Sequence, residues 1–216
     1  AHELNQPLAA IVSLAYVLED MSTVEQPDLP AFRKYAASIQ EQSLRAADIV
    51  KTVRNLVRKT PTSRVSIEPN EVIDKSLTLL ESELGLGGVR VRKDLTKSAC
   101  NVLVDGIQIQ QVLVNLIRNA CDATPSGGQV AIRVERSKET EILLKVRDTG
   151  IGISEENLPH IFEPFYTTNK QGSGLGLYIA RQLCEVNQAE LTVDSSPDSG
   201  TRFHIRLSLA RTERDE

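Results

Sequence analysis

The sequence predicts a helical hairpin followed by a mixed α/β domain. Three observations predict it. Apolar residues in the first part of the chain recur at spacings that alternate between four and three; strand-like and helix-like runs follow one another after Pro61; and residues 149 to 176 hold five glycines and two prolines with little regular pattern. The chain has 216 residues, 40% of them hydrophobic and 25% charged, which is the composition of a soluble globular protein with room for two small domains.

The first helix is expected to run to about Ser22, with Leu4, Leu8, Ile11, Ala15 and Leu18 as its seam. A connector, Thr23 to Pro30, offers Asp28 as a cap and Pro30 in the first turn of a second helix. That helix carries Phe32, Ala36, Ile39, Ser43, Ala46, Val50, Val53 and Val57, and is broken by Thr60-Pro61-Thr62-Ser63. Two helices cannot enclose their own apolar seams, so a second copy of the chain is expected to complete a four-helix bundle.

Beyond the break, strands are expected at Arg64 to Ile67, Val89 to Lys93 and Val102 to Val104, with a helix from Asn70 to Glu83. Asp105 to Ala123 reads as a strongly amphipathic helix. The turn Pro125-Ser-Gly-Gly128 then joins it to two alternating strands, Gln129 to Arg136 and Glu141 to Asp148. A short helical patch is expected at Glu155 to Ile161, a helix at Leu177 to Asn187, and closing strands at Glu190 to Ser195 and Thr201 to Leu209. This divides the chain into a hairpin at 1–62, an α/β domain at 63–210 and a charged tail at 211–216.

Composition also excludes classes of function. The net charge is -4 and the basic residues are scattered, which argues against nucleic acid as a partner. Three well-separated cysteines suit a reducing cytoplasm better than a disulfide framework or a zinc site. No apolar run reaches the roughly 20 residues of a membrane span, so any membrane anchor would lie outside this stretch. The opening residues Ala1-His2-Glu3-Leu4 read as helix interior, as if cut from a longer chain.

Three motifs carry candidate chemistry. Asn115 and Asn119 lie four apart and share one helix face, where carboxamides are poor helix formers and suit either ligand contact or a solvated surface. Asp148-Thr149-Gly150-Ile151-Gly152 puts a carboxylate where a strand meets a flexible loop, able to accept from an amino group. Gly172-Ser173-Gly174-Leu175-Gly176 leads into a helix, whose amino end favours phosphate. It lacks the strand of a dinucleotide fold, and Lys170 precedes its glycines rather than following them as in a P-loop.

In order, the paired asparagines, the DxGxG, Phe162-Glu-Pro-Phe165, the GxGxG and Gly200-Thr201 resemble the N, G1, F, G2 and G3 boxes of the Bergerat-type ATPase fold of sensor histidine kinases. His2-Glu3-Leu4-Asn5-Gln6-Pro7-Leu8 resembles the phospho-acceptor box of their dimerisation helix. The wording is especially similar to the FixL-like and dicarboxylate-sensor branch, and the likeness covers nearly the whole chain.

The resemblance implies a helical-hairpin dimerisation domain, forming a four-helix bundle as a homodimer, joined to an α/β sandwich that binds ATP. It implies autophosphorylation of His2 with Glu3 as general base, then transfer to an Asp of a response-regulator receiver domain in two-component signal transduction. Asn119 would bind Mg2+, Asn115 would assist at the phosphates or the metal, Asp148 would read the adenine amino group, and Gly150 and Gly152 would allow close contact. Phe165, Thr167, Thr168, Lys170, Gly172, Ser173, Gly174, Leu175, Gly176 and Thr201 would complete the nucleotide site, with a mobile lid over about residues 154 to 171 and a hinge near Thr60 to Arg64. Two positions depart from the pattern. Gln6 stands where relatives that dephosphorylate their partner carry Thr or Asn, which leaves phosphatase activity uncertain. Asp122 stands where many kinases carry a phosphate-binding Lys.

Overall fold

The computed structural model describes residues 2–24, 28–57, 62–84, 88–95, 100–169 and 172–210; the side chains of residues 2, 3, 48, 51–57, 82–84 and 95 lie outside that description. The chain divides into two compact units, residues 1–60 with 164–175, and residues 61–163 with 176–216.

The first unit is built on an antiparallel hairpin of α1 (His2–Ser22) and α2 (Leu29–Val57). Asp28 caps α2 as expected, its Oδ1 accepting from the Ala31 amide at 3.1 Å. The seam differs in phase from the one the sequence suggested. Leu4, Pro7, Ala10, Ile11, Leu14, Leu18 and Met21 are the residues of α1 that are withdrawn from solvent, with Phe32, Tyr35, Ile39, Gln42, Ala46 and Ile49 among those of α2. Leu8 is 44% exposed and Val50 51% exposed, and Ala15, Ala36 and Ser43 are also exposed. The reason is that α1 carries two apolar stripes. Leu8, Val12 and Tyr16 form the second, at spacings of four, and all three are exposed.

The second unit runs β1 (Val65–Ile67), α3 (Pro69–Leu84), β2 (Arg90–Leu95), β3 (Val102–Val104), α4 (Gly106–Ala123), β4 (Gln129–Lys138), β5 (Glu141–Asp148), α5 (Gly176–Val186), β6 (Glu190–Ser195) and β7 (Thr201–Ser208). A five-stranded sheet has the order β2-β4-β5-β7-β6, parallel only between β2 and β4, while β1 pairs with β3. Helices α3, α4 and α5 layer on one face, giving the expected α/β sandwich. Instead of the helical patch at Glu155 to Ile161 there is a series of turns. Bonds such as His160 N–H to Asn157 O at 3.0 Å hold them, and Pro159 supplies no amide to extend a helix.

Strand alternation builds the core. Val130, Ile132 and Val134 of β4, Ile142, Leu144 and Val146 of β5, and Phe203, Ile205 and Leu207 of β7 all face the helices and are buried. Opposite them α4 buries Ile109, Val112, Leu113, Leu116, Ile117 and Ala120. Each large side chain so withdrawn contributes about 1.5–3 kcal/mol. At the amino end of α4, Asp105 Oδ1 accepts from the amides of Ile107 and Gln108 at 3.1 and 3.2 Å.

Candidate functional site

The inward row of β5 reads Ile142, Leu144, Val146, Asp148. The period that buries three apolar side chains therefore buries a carboxylate next, and Asp148 is 1% exposed. Its Oδ1 accepts from the amide of Gly150 at 2.8 Å and from the amide of Thr201 at 3.1 Å, and Oδ2 receives neither bond. Burial pushes the Asp148 carboxyl above the usual carboxylate range, and the two amide bonds work in the opposite direction.

Glycine is required on both sides of this carboxylate. A Cβ on Gly150 would lie 2.3 Å from the Ala123 carbonyl oxygen, and one on Gly200, which has φ +74°, would lie 2.2 Å from the Asp148 carbonyl oxygen. The open sides of these glycines thus face protein backbone, and they dock the Asp148 loop onto the end of α4 and the β6–β7 turn. The Ile151 amide also bonds the Ala123 carbonyl, at 3.2 Å. Gly152 packs similarly against Ser196.

The two asparagines of α4 have different partners. Asn115 Nδ2 donates to the carbonyl of Gly176, the first residue of α5, at 3.1 Å. Asn119 is half-buried, faces Gly176 as well, and has no hydrogen-bond partner among the described residues. One carboxamide holds two helices together, and the next is left for something else. The amino end of α5 presents orphan backbone amides beside it.

Phe165, Thr167, Thr168, Gly172, Ser173, Gly174 and Leu175 belong to segment 164–175, which folds back on itself. A Cβ on Gly174 would lie 2.4 Å from the Phe165 carbonyl carbon, so the two ends of the segment touch, with Phe165 at φ +69°. Between them Thr167 Oγ1 accepts from the Asn169 amide at 3.1 Å and the Gly172 amide donates to the Asn169 carbonyl at 3.0 Å. Lys170 lies outside the described residues, as do the side chains of His2 and Glu3, whose backbone is helical, and the tail 211–216.

Two supporting residues escaped the sequence reading. Ser195, opposite Thr201 in register, donates to the Gly200 carbonyl at 2.9 Å and accepts from the Ile153 amide at 2.9 Å, bracing the turn that delivers Thr201 to Asp148. Asn187, 3% exposed, joins the end of α5 to the start of α4 through the Asp105 amide at 2.7 Å and Gln108 Oε1 at 2.7 Å. A cross-strand Ser–Thr pair is a recognisable signal once register is known. Asn187 had none beyond being polar at a helix end.

The family model for histidine kinase-, DNA gyrase B-, and HSP90-like ATPases matches residues 104–211, and the model for the His kinase A phospho-acceptor domain matches residues 1–62. The chain belongs to the sensor histidine kinases. Among curated kinases of this family, the sensor protein FixL of Bradyrhizobium diazoefficiens is 32% identical over 218 residues, covering 97% of this chain and 42% of its own. The C4-dicarboxylate transport sensor protein DctS of Rhodobacter capsulatus is 31% identical over 213 residues, covering 97% of this chain and 32% of its own. The solved histidine kinase ThkA, in complex with the response regulator protein TrrA, superposes with a TM-score of 0.79 at 25% identity, covering 99% of this chain and 61% of that one. The histidine kinase sequence here spans between 22% and 42% of the length of the first curated relatives it matches. No helix among its described residues is long and apolar enough to cross a membrane.

Proposed function

We propose that this chain binds ATP with residues 63–210, phosphorylates its own His2 and passes the phosphoryl group to an Asp of a response-regulator receiver domain. The observation that carries the reading is the buried Asp148 carboxylate, fixed through Oδ1 by two backbone amides, which suits acceptance of one specific amino group such as that of adenine. Asn119, beside the amino end of α5 and without a hydrogen-bond partner among the described residues, fits a site for the phosphates and for Mg2+, a cation that takes few protein ligands alongside phosphate oxygens. Bound there, Mg2+ would supply neutralisation of phosphate charge.

In the reaction a ring nitrogen of His2 attacks the γ-phosphorus, the bond to the bridging oxygen breaks, and ADP leaves with that electron pair. A histidine with an ordinary pKa of about 6.5 is mostly neutral at cellular pH, so its nucleophile needs little activation. Glu3 takes the proton from the other ring nitrogen as positive charge develops. The receiver's carboxylate then attacks the same phosphorus and releases the imidazole. Residues 1–62 serve dimerisation and phosphotransfer, 63–210 bind the nucleotide and 211–216 are a tail. The exposed stripe of Leu8, Val12 and Tyr16 supports a homodimer through α1. Segment 164–175, with Thr167, Thr168, Lys170 and the glycines, acts at the nucleotide phosphates. Cys100, Cys121 and Cys184, none of them in a disulfide among the described residues, suit the cytoplasm.

Incubation with labelled ATP and Mg2+ tests this. The native chain should yield an acid-labile, alkali-stable phosphoprotein, and His2→Gln and Asn119→Ala should each abolish it, the second with loss of nucleotide binding. Label that persists on His2→Gln would overturn the assignment.

A further inference from the structure

The face of the five-stranded sheet turned away from α3, α4 and α5 is charged, and strand register sorts its side chains into rows. The row one residue before Asp148 runs Arg92, Ala131, Arg147, Arg202 and Asp194 across β2, β4, β5, β7 and β6. The next row runs Asp94, Arg133, Lys145, His204 and Thr192.

The rows differ in how their charge is answered. Arg133 lies 3.7 Å from Asp94 and 3.4 Å from Glu135, and Lys145 also pairs with Glu135. Farther along the strands Arg206 is held by Glu141 and Glu190. Asp194, the acid of the first row, lies 2.9 Å from His204 Nε2. Every carboxylate of the face is thus engaged elsewhere, and Arg92, Arg147 and Arg202 have no ion pair among the described residues. Arg147 and Arg202 are direct cross-strand partners, an arrangement of like charges that weakens a sheet. A chain of net charge -4 keeps this cost while its acids pair with other cations.

We propose that this row is a docking surface for an acidic segment of another protein. Arg92 and Arg147 are exposed, and a planar guanidinium matches a carboxylate with two parallel hydrogen bonds. Adjacent strands are about 4.8 Å apart, close to the roughly 5–6 Å between residues four apart on a helix, so glutamates at that spacing can meet Arg147 and Arg202 together. The carboxylates of Asp94, Glu135 and Asp194 around the row disfavour a continuous polyanion such as nucleic acid or an anionic bilayer. No Phe, Tyr or Trp stands in either row to stack a base, and the ring of His204 is held by Asp194 at 2.9 Å.

The test is fluorescence anisotropy of an alanine-based helical peptide bearing glutamates four apart, titrated at low ionic strength with the whole chain. Arg147→Gln with Arg202→Gln should weaken binding roughly fivefold or more, in keeping with two exposed charge pairs. Arg206→Gln, which removes a cation already paired, should change it less than about twofold. Circular dichroism melts confirm that each variant is folded. The proposal fails if the native chain does not bind the peptide, if the double variant binds as the native chain does, or if Arg206→Gln weakens binding as much. It fails equally if an oligothymidylate or phosphatidylserine vesicles displace the peptide more effectively than the unlabelled peptide does.

Discussion

The sandwich and the hairpin solve the problem of apolar surface in opposite ways. In the sandwich, the inward rows of β4, β5 and β7 and the facing side of α4 are all but withdrawn from solvent, with Leu116, Ile132 and Ile205 at 0% exposure. In the hairpin, α1 satisfies one stripe against α2 and leaves another in the open, with Tyr16 65% and Val12 53% exposed. One unit closes on itself. The other leaves a stripe open, because two helices have too few faces to cover all their apolar residues.

The contrast breaks most directly in the core. Leu116→Ala should cost about 2–5 kcal/mol of stability in urea denaturation, since the space it leaves is enclosed on every side; a loss under 1 kcal/mol would mean that the sandwich is looser than its burial indicates. Gly200→Ala should cost about 1–3 kcal/mol, because a methyl at φ +74° meets the Asp148 carbonyl, and nucleotide affinity should fall with it. In the hairpin, Val12→Ser with Tyr16→Ser should leave the sandwich's unfolding free energy in urea within about 0.5 kcal/mol of native and raise the dimer dissociation constant roughly tenfold or more. Sedimentation equilibrium checks this, and an unchanged dimer would mean that the open stripe is not the subunit contact.

The smallest effect is a pH dependence. Burial raises the carboxyl of Asp148, so between its unfolded and folded pKa values the folded chain binds more protons than the unfolded one. Stability contributed at Asp148 therefore falls as pH rises through that window, which opens near the ordinary carboxylate value of about 3.9 and extends upward. Asp148→Asn should remove this slope, so its stability relative to native should increase with pH until Asp148 is fully ionised. A difference that stays flat across acid pH would show that the two amide bonds offset burial completely.

The candidate site was legible to different depths in its parts. The carboxylate of Asp148 stood out because it ends an alternating strand, and the alternation is what buries it. Asn115 and Asn119 carry the same carboxamide, yet one is occupied by the Gly176 carbonyl and the other has no hydrogen-bond partner among the described residues. Their spacing of four puts them on one face, but only the approach of α5 distinguishes them. The glycines beside Asp148 suggest room for a ligand, and the fold fills the space next to them with backbone.

By itself the sequence determined the alternation of strands, the cap at Asp28, the boundaries of nearly every element and the ordered motifs, because these depend on period and on local hydrogen bonding. Tertiary structure decided which stripe of α1 packs inward, which asparagine is bonded, and where Ser195 and Asn187 brace the site. It also decided the row of arginines behind Asp148. Arg92, Arg147 and Arg202 are far apart in the chain, and only the register of β2, β4, β5 and β7 sets them side by side. Periodicity assigns a residue to a face; which neighbour that face meets depends on how separate elements pack.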